Sequence, residues 1–424
     1  MSRASRPSFV FILADDLGYA DLGCYGGRAD CSPNLDRMAA AGLRFTDGYA
    51  NSAVCSPTRL ALATGRWQYR LRGGADEPIA SRSARANPAL GLPPGHPTLA
   101  SLLRDAGYAT ALVGKWHLGF APHFGPLKSG YQEFFGPMSG GVDYFTHCDS
   151  AGRHDLYEGD EEVHRTGYLT DLLSERAVEF VRKQRGPFFL SLHYTAPHWP
   201  WETRADAAES KRIRSISHFD GGSLSTYLEM IRIMDEGIGR VMQAVDDNTC
   251  VAFTSDNGGE RYSDTWPLVG KKMDLLEGGI RVPTIVRWPG RVANGGTTAQ
   301  LAITMDWVAT FLEAARVSPH PDYPLDGVNL LNETSGRELF WRMKYRDQKA
   351  MRRGPWKWLS IEGNEFLFDL SRDPRERANL AEREPANLED LRRRYRAWEA
   401  SVPPIPEDAK VSVLAGPKEL AQPS

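Results

Sequence analysis

The strongest constraint on this chain is an alternation of two periods. Short apolar runs at Phe9–Ala14, Thr110–Gly114, Phe188–His193, Val251–Thr254 and Thr284–Arg287 are separated by segments whose apolar residues recur at helical spacing. That alternation predicts strands of a largely parallel sheet covered by helices on both faces. The helices carry their own punctuation: Ser32 caps and Pro33 starts one that stops near Gly42, and Thr98 caps another that stops near Gly107. Longer helices are expected over about 168–185 and 224–246, and a further one over about 304–315. After a loop rich in Pro and Asp at 320–326 the pattern changes. Short strands at 338–343, 350–361 and 366–370 follow one another directly and precede a charged helix at 388–401, which reads as an antiparallel sheet carrying one helix. The expected fold class is therefore α/β: a large, mostly parallel sheet between helices over residues 1–335, then a smaller C-terminal α+β subdomain over 336–424 with a flexible tail from about 403. Residues 73–97 lack periodicity and predict a long surface loop of the kind that shapes binding sites.

Composition narrows the function classes. With 41% hydrophobic and 25% charged residues in a chain of 424, the balance is that of a folded globular protein, and disordered, collagen-like and coiled-coil readings drop out. Lys plus Arg total 51 against 54 for Asp plus Glu, a net charge of -3, so no overall basic field draws the chain to nucleic acid or an acidic membrane. Five scattered cysteines make no disulfide scaffold, and no CxxC pair suggests structural zinc. The apolar run at the N-terminus is too short for a secretory segment and ends in two aspartates, and no stretch of about 18 apolar residues exists to cross a membrane. The expectation is a cytoplasmic protein with mostly reduced thiols.

Chemistry gathers at strand ends. The first strand runs into Asp15 and Asp16, and the strand at 251–254 runs towards Asp256 and Asn257. Ligands bind at the carboxyl ends of parallel strands, and three carboxylates with an amide oxygen suit a hard cation, calcium or magnesium. Taken singly, Asp-Asp-x-Gly and Asp-Asn-Gly are also ordinary turn sequences. The segment Cys55-Ser56-Pro57-Thr58-Arg59 opens a helix that Gly65 can end, placing Cys55 near a helix N-terminus with Arg59 one turn on. A buried structural cysteine and an activated thiolate are both readings of that position.

The segment Cys55 to Arg59, with Thr64-Gly65-Arg66 after it, resembles the signature of the sulfatases in the alkaline-phosphatase-like superfamily. The resemblance continues through Ala14-Asp15-Asp16-Leu17-Gly18, Gly114-Lys115-Trp116-His117-Leu118-Gly119, Pro197-His198-Trp199-Pro200, Ser255-Asp256-Asn257-Gly258 and Glu277-Gly278-Gly279-Ile280-Arg281. It implies that a dedicated maturation enzyme oxidises Cys55 to formylglycine. A hydrated aldehyde offers one hydroxyl to attack the sulfur of a sulfate ester and a second to expel sulfate afterwards, a cycle that a thiol cannot complete. It further implies a metal site of Asp15, Asp16, Cys55, Asp256 and Asn257 holding Ca2+, with Mg2+ as the alternative. Cys55, Arg59, Lys115, His117, His198 and Lys272 are the implied catalytic set.

Lys115 and His117 stand two apart after a strand, so in extended backbone they project to one side. The resemblance implies that Lys115 neutralises sulfate, that His117 takes the proton during elimination, and that His198 and Lys272 serve the leaving oxygen. His193, inside its strand, reads as a core residue. Of Lys271 and Lys272, the family's spacing of five before Glu277 implies Lys272; Met273 then stands where the family often has glycine. Ser139 corresponds only loosely to a sulfate-contacting serine. The resulting expectation is a hydrolase of aryl or carbohydrate sulfate monoesters. The alternatives are a phosphonate monoester or phosphodiester hydrolase on the same framework and, less favoured, an unmodified protein that only binds sulfate esters.

Overall fold

The computed structural model describes residues 6–85, 87–212, 221–332 and 336–412, apart from the side chains of Arg82 and Ser83. Its centre is β1 (Ser8–Ala14). Phe9, Phe11 and Leu13 enter one apolar core, while Val10, Ile12 and Ala14 enter another. A strand covered on both faces has no solvent side to mark with polar residues, which is why it reads as an unbroken apolar run. The remaining strands of this sheet are β2 (Leu43–Phe45), β4 (Ala109–Gly114), β5 (Glu133–Gly136), β6 (Tyr157–Glu158), β7 (Glu161–Glu162), β8 (Phe188–His193), β9 (Thr249–Ser255), β10 (Thr284–Arg287) and β11 (Gly296–Thr298). They lie in the order β11-β2-β10-β9-β1-β8-β4-β5-β6-β7. The neighbours β9, β1, β8, β4 and β5 are parallel, and β10 joins β9 antiparallel. A separate ribbon pairs β3 (Gly48–Tyr49) with β12 (Ala302–Ile303).

Helices α1 (Pro33–Ala40), α5 (Leu169–Lys183) and α7 (Leu224–Ala244) cover one face, and α2 (Cys55–Thr64), α4 (Leu99–Asp105) and α9 (Asp306–Ala315) cover the other. Short helices α3 (Ser81–Ala84), α6 (Ala207–Arg212) and α8 (Glu277–Ile280) sit within connections. Thr98 caps α4 as expected, its hydroxyl accepting from the Ser101 amide at 3.0 Å. Ser32 precedes α1, but its hydroxyl caps none of the first-turn amides. Asp235 of α7 takes the Asn34 and Leu35 amides instead, at 2.9 and 2.8 Å, so a buried carboxylate docks one helix onto another. Among the described residues no helix is long and apolar enough to cross a membrane.

The C-terminal unit is a four-stranded antiparallel sheet, β13 (Glu338–Met343), β14 (Gln348–Arg353), β15 (Trp356–Ile361) and β16 (Asn364–Asp369), with α10 (Pro385–Glu399) packed on it. The single strand expected at 350–361 is two, because Gly354, at φ +54°, and Pro355 turn the chain between them. The domain boundary expected at 335/336 adjoins residues 333–335, which lie outside the described residues. Residues 73–97, expected as a surface loop, instead bury Gly73, Asp76, Glu77, Ile79, Leu90 and Leu92, of which Ile79, Leu90 and Leu92 join the core on one face of the sheet. The tail expected from about 403 is also laid against the body over its first part. Lys344 Nζ donates to the Glu407 and Ala409 carbonyls, the Glu77 amide donates to the Lys410 carbonyl, and the Ser412 amide donates to the Glu77 carbonyl, which places Val411 beside Glu77. Residues 413–424 lie outside the described residues.

Candidate active site

The four adjacent parallel strands β9, β1, β8 and β4 end on the same edge, and each delivers polar side chains there. Asp15 and Asp16 follow β1, Lys115 follows β4, His198 follows β8 and Asp256 with Asn257 follows β9. Backbone bonds lock these ends in register: Asp15 N donates to Ala196 O at 3.1 Å, Asp256 N to Ala14 O at 3.1 Å and Lys115 N to His193 O at 2.9 Å. Cys55 is the first residue of α2, whose preceding residue Val54 offers no side-chain cap. Ligand atoms of Asp15, Asp16, Cys55 and His198 lie within 4.8 Å of one another, all four residues buried. Cys55, His117, His198 and Lys272 line one cavity of 170 Å3.

Charge in this cluster is arranged in pairs. Lys115 Nζ lies 2.5 Å from Asp15 Oδ2, Lys272 Nζ lies 2.7 Å from Asp16 Oδ2, and the Arg59 guanidinium reaches Asp256 Oδ2 at 2.8 Å and Asp15 Oδ2 at 3.7 Å. Burial alone would lower the Lys272 ammonium; Asp16 overcomes it and holds it well above its usual value. Burial likewise opposes ionisation of Asp16, yet Lys272, His198 and Lys115 bring it down to about 2. Asp256 is pushed up to about 6 by burial and by Asp15. The Cys55 thiol is pushed well up by burial, against the pull of Lys115 and Lys272, so an unmodified Cys55 is a protonated thiol and not a poised nucleophile.

The two histidines have defined proton arrangements. His117 places Nε2 2.8 Å from the Ile79 carbonyl, so Nε2 carries the hydrogen and Nδ1 is left as a base; Nδ1 is buried and has no hydrogen-bond partner among the described residues. His198 places Nδ1 2.6 Å from the Trp199 carbonyl, which leaves Nε2 as the acceptor facing Asp16 Oδ2 at 3.6 Å. Burial and the nearby lysines push His198 down to about 3, and burial with Lys115 pushes His117 well below the usual histidine range, so both are neutral at pH 7.

Two oxygens test whether a cation fits. Among the described residues Asp15 Oδ1 and Asn257 Oδ1 are buried acceptors with no hydrogen-bond partner, while Asn257 Nδ2 donates to Asp16 Oδ1 at 2.7 Å and to the Gly258 carbonyl at 2.8 Å. Unpartnered hard oxygens beside three clustered carboxylates match the donor set of calcium or magnesium.

All ten residues singled out from sequence, Asp15, Asp16, Cys55, Arg59, Lys115, His117, His198, Asp256, Asn257 and Lys272, are therefore brought to one edge of the sheet. The route differs in one place: His117 is not in extended backbone but at φ +58°, and it reaches the cavity through that turn. His193 is buried with Nδ1 3.3 Å from the Lys115 carbonyl. Ser139 lines the cavity, its amide held by Asp155 at 2.8 Å. Trp199 also lines the cavity, whereas Trp67 and Tyr69 pack on Trp398 of α10. Sequence reasoning missed Ile79, Ser81, Ser150 and Ser412, which also line it; only the lack of periodicity over 73–97 hinted at the first two.

Comparison with known proteins places this geometry. The family model described as Sulfatase matches residues 7–317. Human N-acetylgalactosamine-6-sulfatase is 35% identical over 77% of this chain, which spans 65% of that relative's length. Human arylsulfatase A is 32% identical, with 89% of this chain and 84% of the relative covered. The crystal structure of Ps i-CgsB in complex with k-i-k-neocarrahexaose superposes with a TM-score of 0.84 at 30% identity, covering 94% of each chain. A family match over most of the chain, in a range that includes the strand ends and the helix that form the cavity, makes this protein a member of the sulfatase family.

Proposed function

We propose that this protein hydrolyses sulfate monoesters of carbohydrates or phenols, using formylglycine formed from Cys55 and a divalent cation held by Asp15, Asp16, Asp256 and Asn257. The observation that carries this reading is the position of Cys55: the first residue of α2, within 4.8 Å of the clustered Asp15, Asp16 and His198 ligand atoms, at the wall of the cavity. The activities named for its relatives support a sulfate ester as substrate. Cys55 is 1% exposed within a helix, so the maturation enzyme acts on the chain before it folds.

An aldehyde hydrate at residue 55 supplies one hydroxyl to attack sulfur and another whose deprotonation expels sulfate. A cation held by Asp15, Asp16, Asp256 and Asn257, calcium or magnesium, would supply further positive charge to the site. The chain's own residues do the remainder. Lys115 and Lys272 are buried cations that bind the oxygens of the transferring group in a site with little water, where their charge acts strongly. Arg59 is shared by Asp256 and Asp15, offsets the repulsion between the two carboxylates and adds to the same field. His117 accepts a proton at Nδ1, its Nε2 hydrogen being committed to Ile79. On the leaving-group side Lys272 bears the proton, because His198 is neutral and its Nε2 is an acceptor; Lys272 donates to the leaving oxygen, and His198 Nε2, in the same cavity wall, accepts from the alcohol once it is protonated.

The test is peptide mass spectrometry of Cys55 combined with a panel of aryl sulfate, phosphate diester and phosphonate monoester. Aldehyde at Cys55 with fastest turnover of the sulfate is the expected result. Faster turnover of the phosphonate or diester assigns the alternative chemistry, and thiol with binding but no turnover assigns a binding protein.

A further inference from the structure

The loop that carries Lys272 is gripped from the C-terminal sheet. Its inner side is tied to the site: Lys272 N donates to Gly259 O and Met273 N to Ala53 O, both at 2.9 Å. Its outer side meets Gln348, the first residue of β14, which is completely buried. Gln348 Nε2 donates to the Met273 carbonyl at 2.8 Å and to the Tyr345 carbonyl at 3.2 Å, and Gln348 Oε1 accepts from the Leu275 amide at 2.9 Å. Two residues on, the Glu277 amide donates to Glu376 Oε2 at 2.6 Å and Lys357 Nζ binds Glu277 Oε1 at 2.9 Å. The C-terminal unit thus holds residues 273, 275 and 277 in turn.

Met273 sits at φ +76°, a backbone conformation that a residue with a Cβ avoids unless its surroundings impose it. Only a carboxamide can impose it in this way, because donor and acceptor are needed on one side chain. A carboxylate at 348 faces two carbonyls, and a thioether bonds none of the three groups. We propose that Gln348 is a positioning residue for Lys272: its carboxamide clamps the backbone on either side of Asp274 and so sets the Lys272 ammonium against Asp16 and the cavity. The inference rests on the reading of Lys272 as the group that serves the leaving oxygen.

The experiment uses the full-length, matured protein and its Gln348→Met and Gln348→Glu variants, with Lys272→Ala as reference. Turnover is measured on a series of aryl sulfates whose phenols differ in acidity, and Lys272 acetylation by acetic anhydride is measured by mass spectrometry against its exposed neighbour Lys271. Misplacing a catalytic group by about 1 Å costs roughly 100-fold, so kcat of Gln348→Met should fall about 10- to 100-fold with KM little changed. The loss should grow as the phenol becomes less acidic, as it does for Lys272→Ala, because poor leaving groups depend most on the ammonium. The Lys272/Lys271 acetylation ratio should rise. An equal fractional loss across the series, or wild-type kcat with Lys272 still protected, overturns the proposal. If Gln348→Met does not fold, Gln348→Glu, which keeps the acceptor for the Leu275 amide, is read by the same criteria. Should the wild-type protein turn over none of the sulfates, the functional reading fails; the acetylation ratio then decides the clamp alone, a rise supporting it and no change refuting it.

Discussion

Two buried ionic clusters lie a few residues apart along the loop from Lys272 to Arg281, and they are built differently. At the interface with the C-terminal sheet, Glu277 has both oxygens partnered, Oε1 by Lys357 at 2.9 Å and Oε2 by Tyr49 at 2.7 Å, and Asp47 is bound by Arg281 at 2.8 Å and Arg352 at 2.9 Å. At the sheet edge Asp15 Oδ1, Asn257 Oδ1 and His117 Nδ1 have no partner among the described residues. A buried polar group without a partner costs free energy unless something else binds it. The closed cluster is a structural joint, and the open one is a place for a ligand.

Cys55→Ala separates the two clusters most sharply. We expect loss of sulfate ester turnover by at least about 1,000-fold, the scale set by removing a covalent nucleophile, with an unchanged far-UV spectrum. Removal of divalent cations by a chelator should also abolish turnover, with recovery on adding Ca2+ or Mg2+. It should lower Tm as well, since a ligand present at 100 times its Kd stabilises the folded state by about 2.7 kcal/mol. A Tm indifferent to the cation would place no ion between Asp15 and Asn257.

In the closed cluster the balance reverses. Lys357→Met leaves Glu277 and Glu376 without their shared cation, and breaking such a buried pair costs about 3–5 kcal/mol. Urea or thermal unfolding should show that loss, while kcat of the folded protein falls less than it does for Lys272→Ala. Equal kcat losses in the two variants would show that the clusters are not separable.

Acid should act on the open cluster. His198 titrates at about 3 when folded against 6.5 unfolded, and His117 is shifted the same way, so the unfolded chain binds more protons below pH 6.5. Stability is therefore highest above that pH and falls as pH drops towards 3, by about 1.4 kcal/mol per pH unit for each group. His198→Asn should flatten the slope between pH 6 and 4 by about that amount in pH-dependent unfolding. The smallest effect belongs to Met273→Gly. Relieving the left-handed backbone should raise stability by up to about 1 kcal/mol, offset in part by a more flexible unfolded chain.

Much of this was legible before any coordinates, and for uneven reasons. Strands β1, β4, β8 and β9 are buried on both faces, so their apolar runs stand out, and the acidic or basic residues that follow them mark the edge where they end. The C-x-P-x-R segment and the Lys271/Lys272 choice came from family resemblance, which no periodicity could replace. Short strands such as β2 and β5 were not read, because two to four residues carry too little pattern to distinguish from loop. The turn at Gly354 and Pro355 is legible in the sequence, since glycine followed by proline is a turn signal. The burial of 73–97 and the clamp by Gln348 were hidden for another reason: both depend on contacts between segments far apart in the chain, Glu77 with residues 410–412 and Gln348 with residues 273–275.

The central claim is that residue 55 works as an aldehyde and not as a thiol. The most direct test is the mass of the Cys55 peptide from protein that is turning over an aryl sulfate. The account predicts a peptide in which oxygen replaces sulfur and two hydrogens are lost, in proportion to the activity of the preparation. Full activity from protein whose Cys55 peptide is entirely thiol would contradict it.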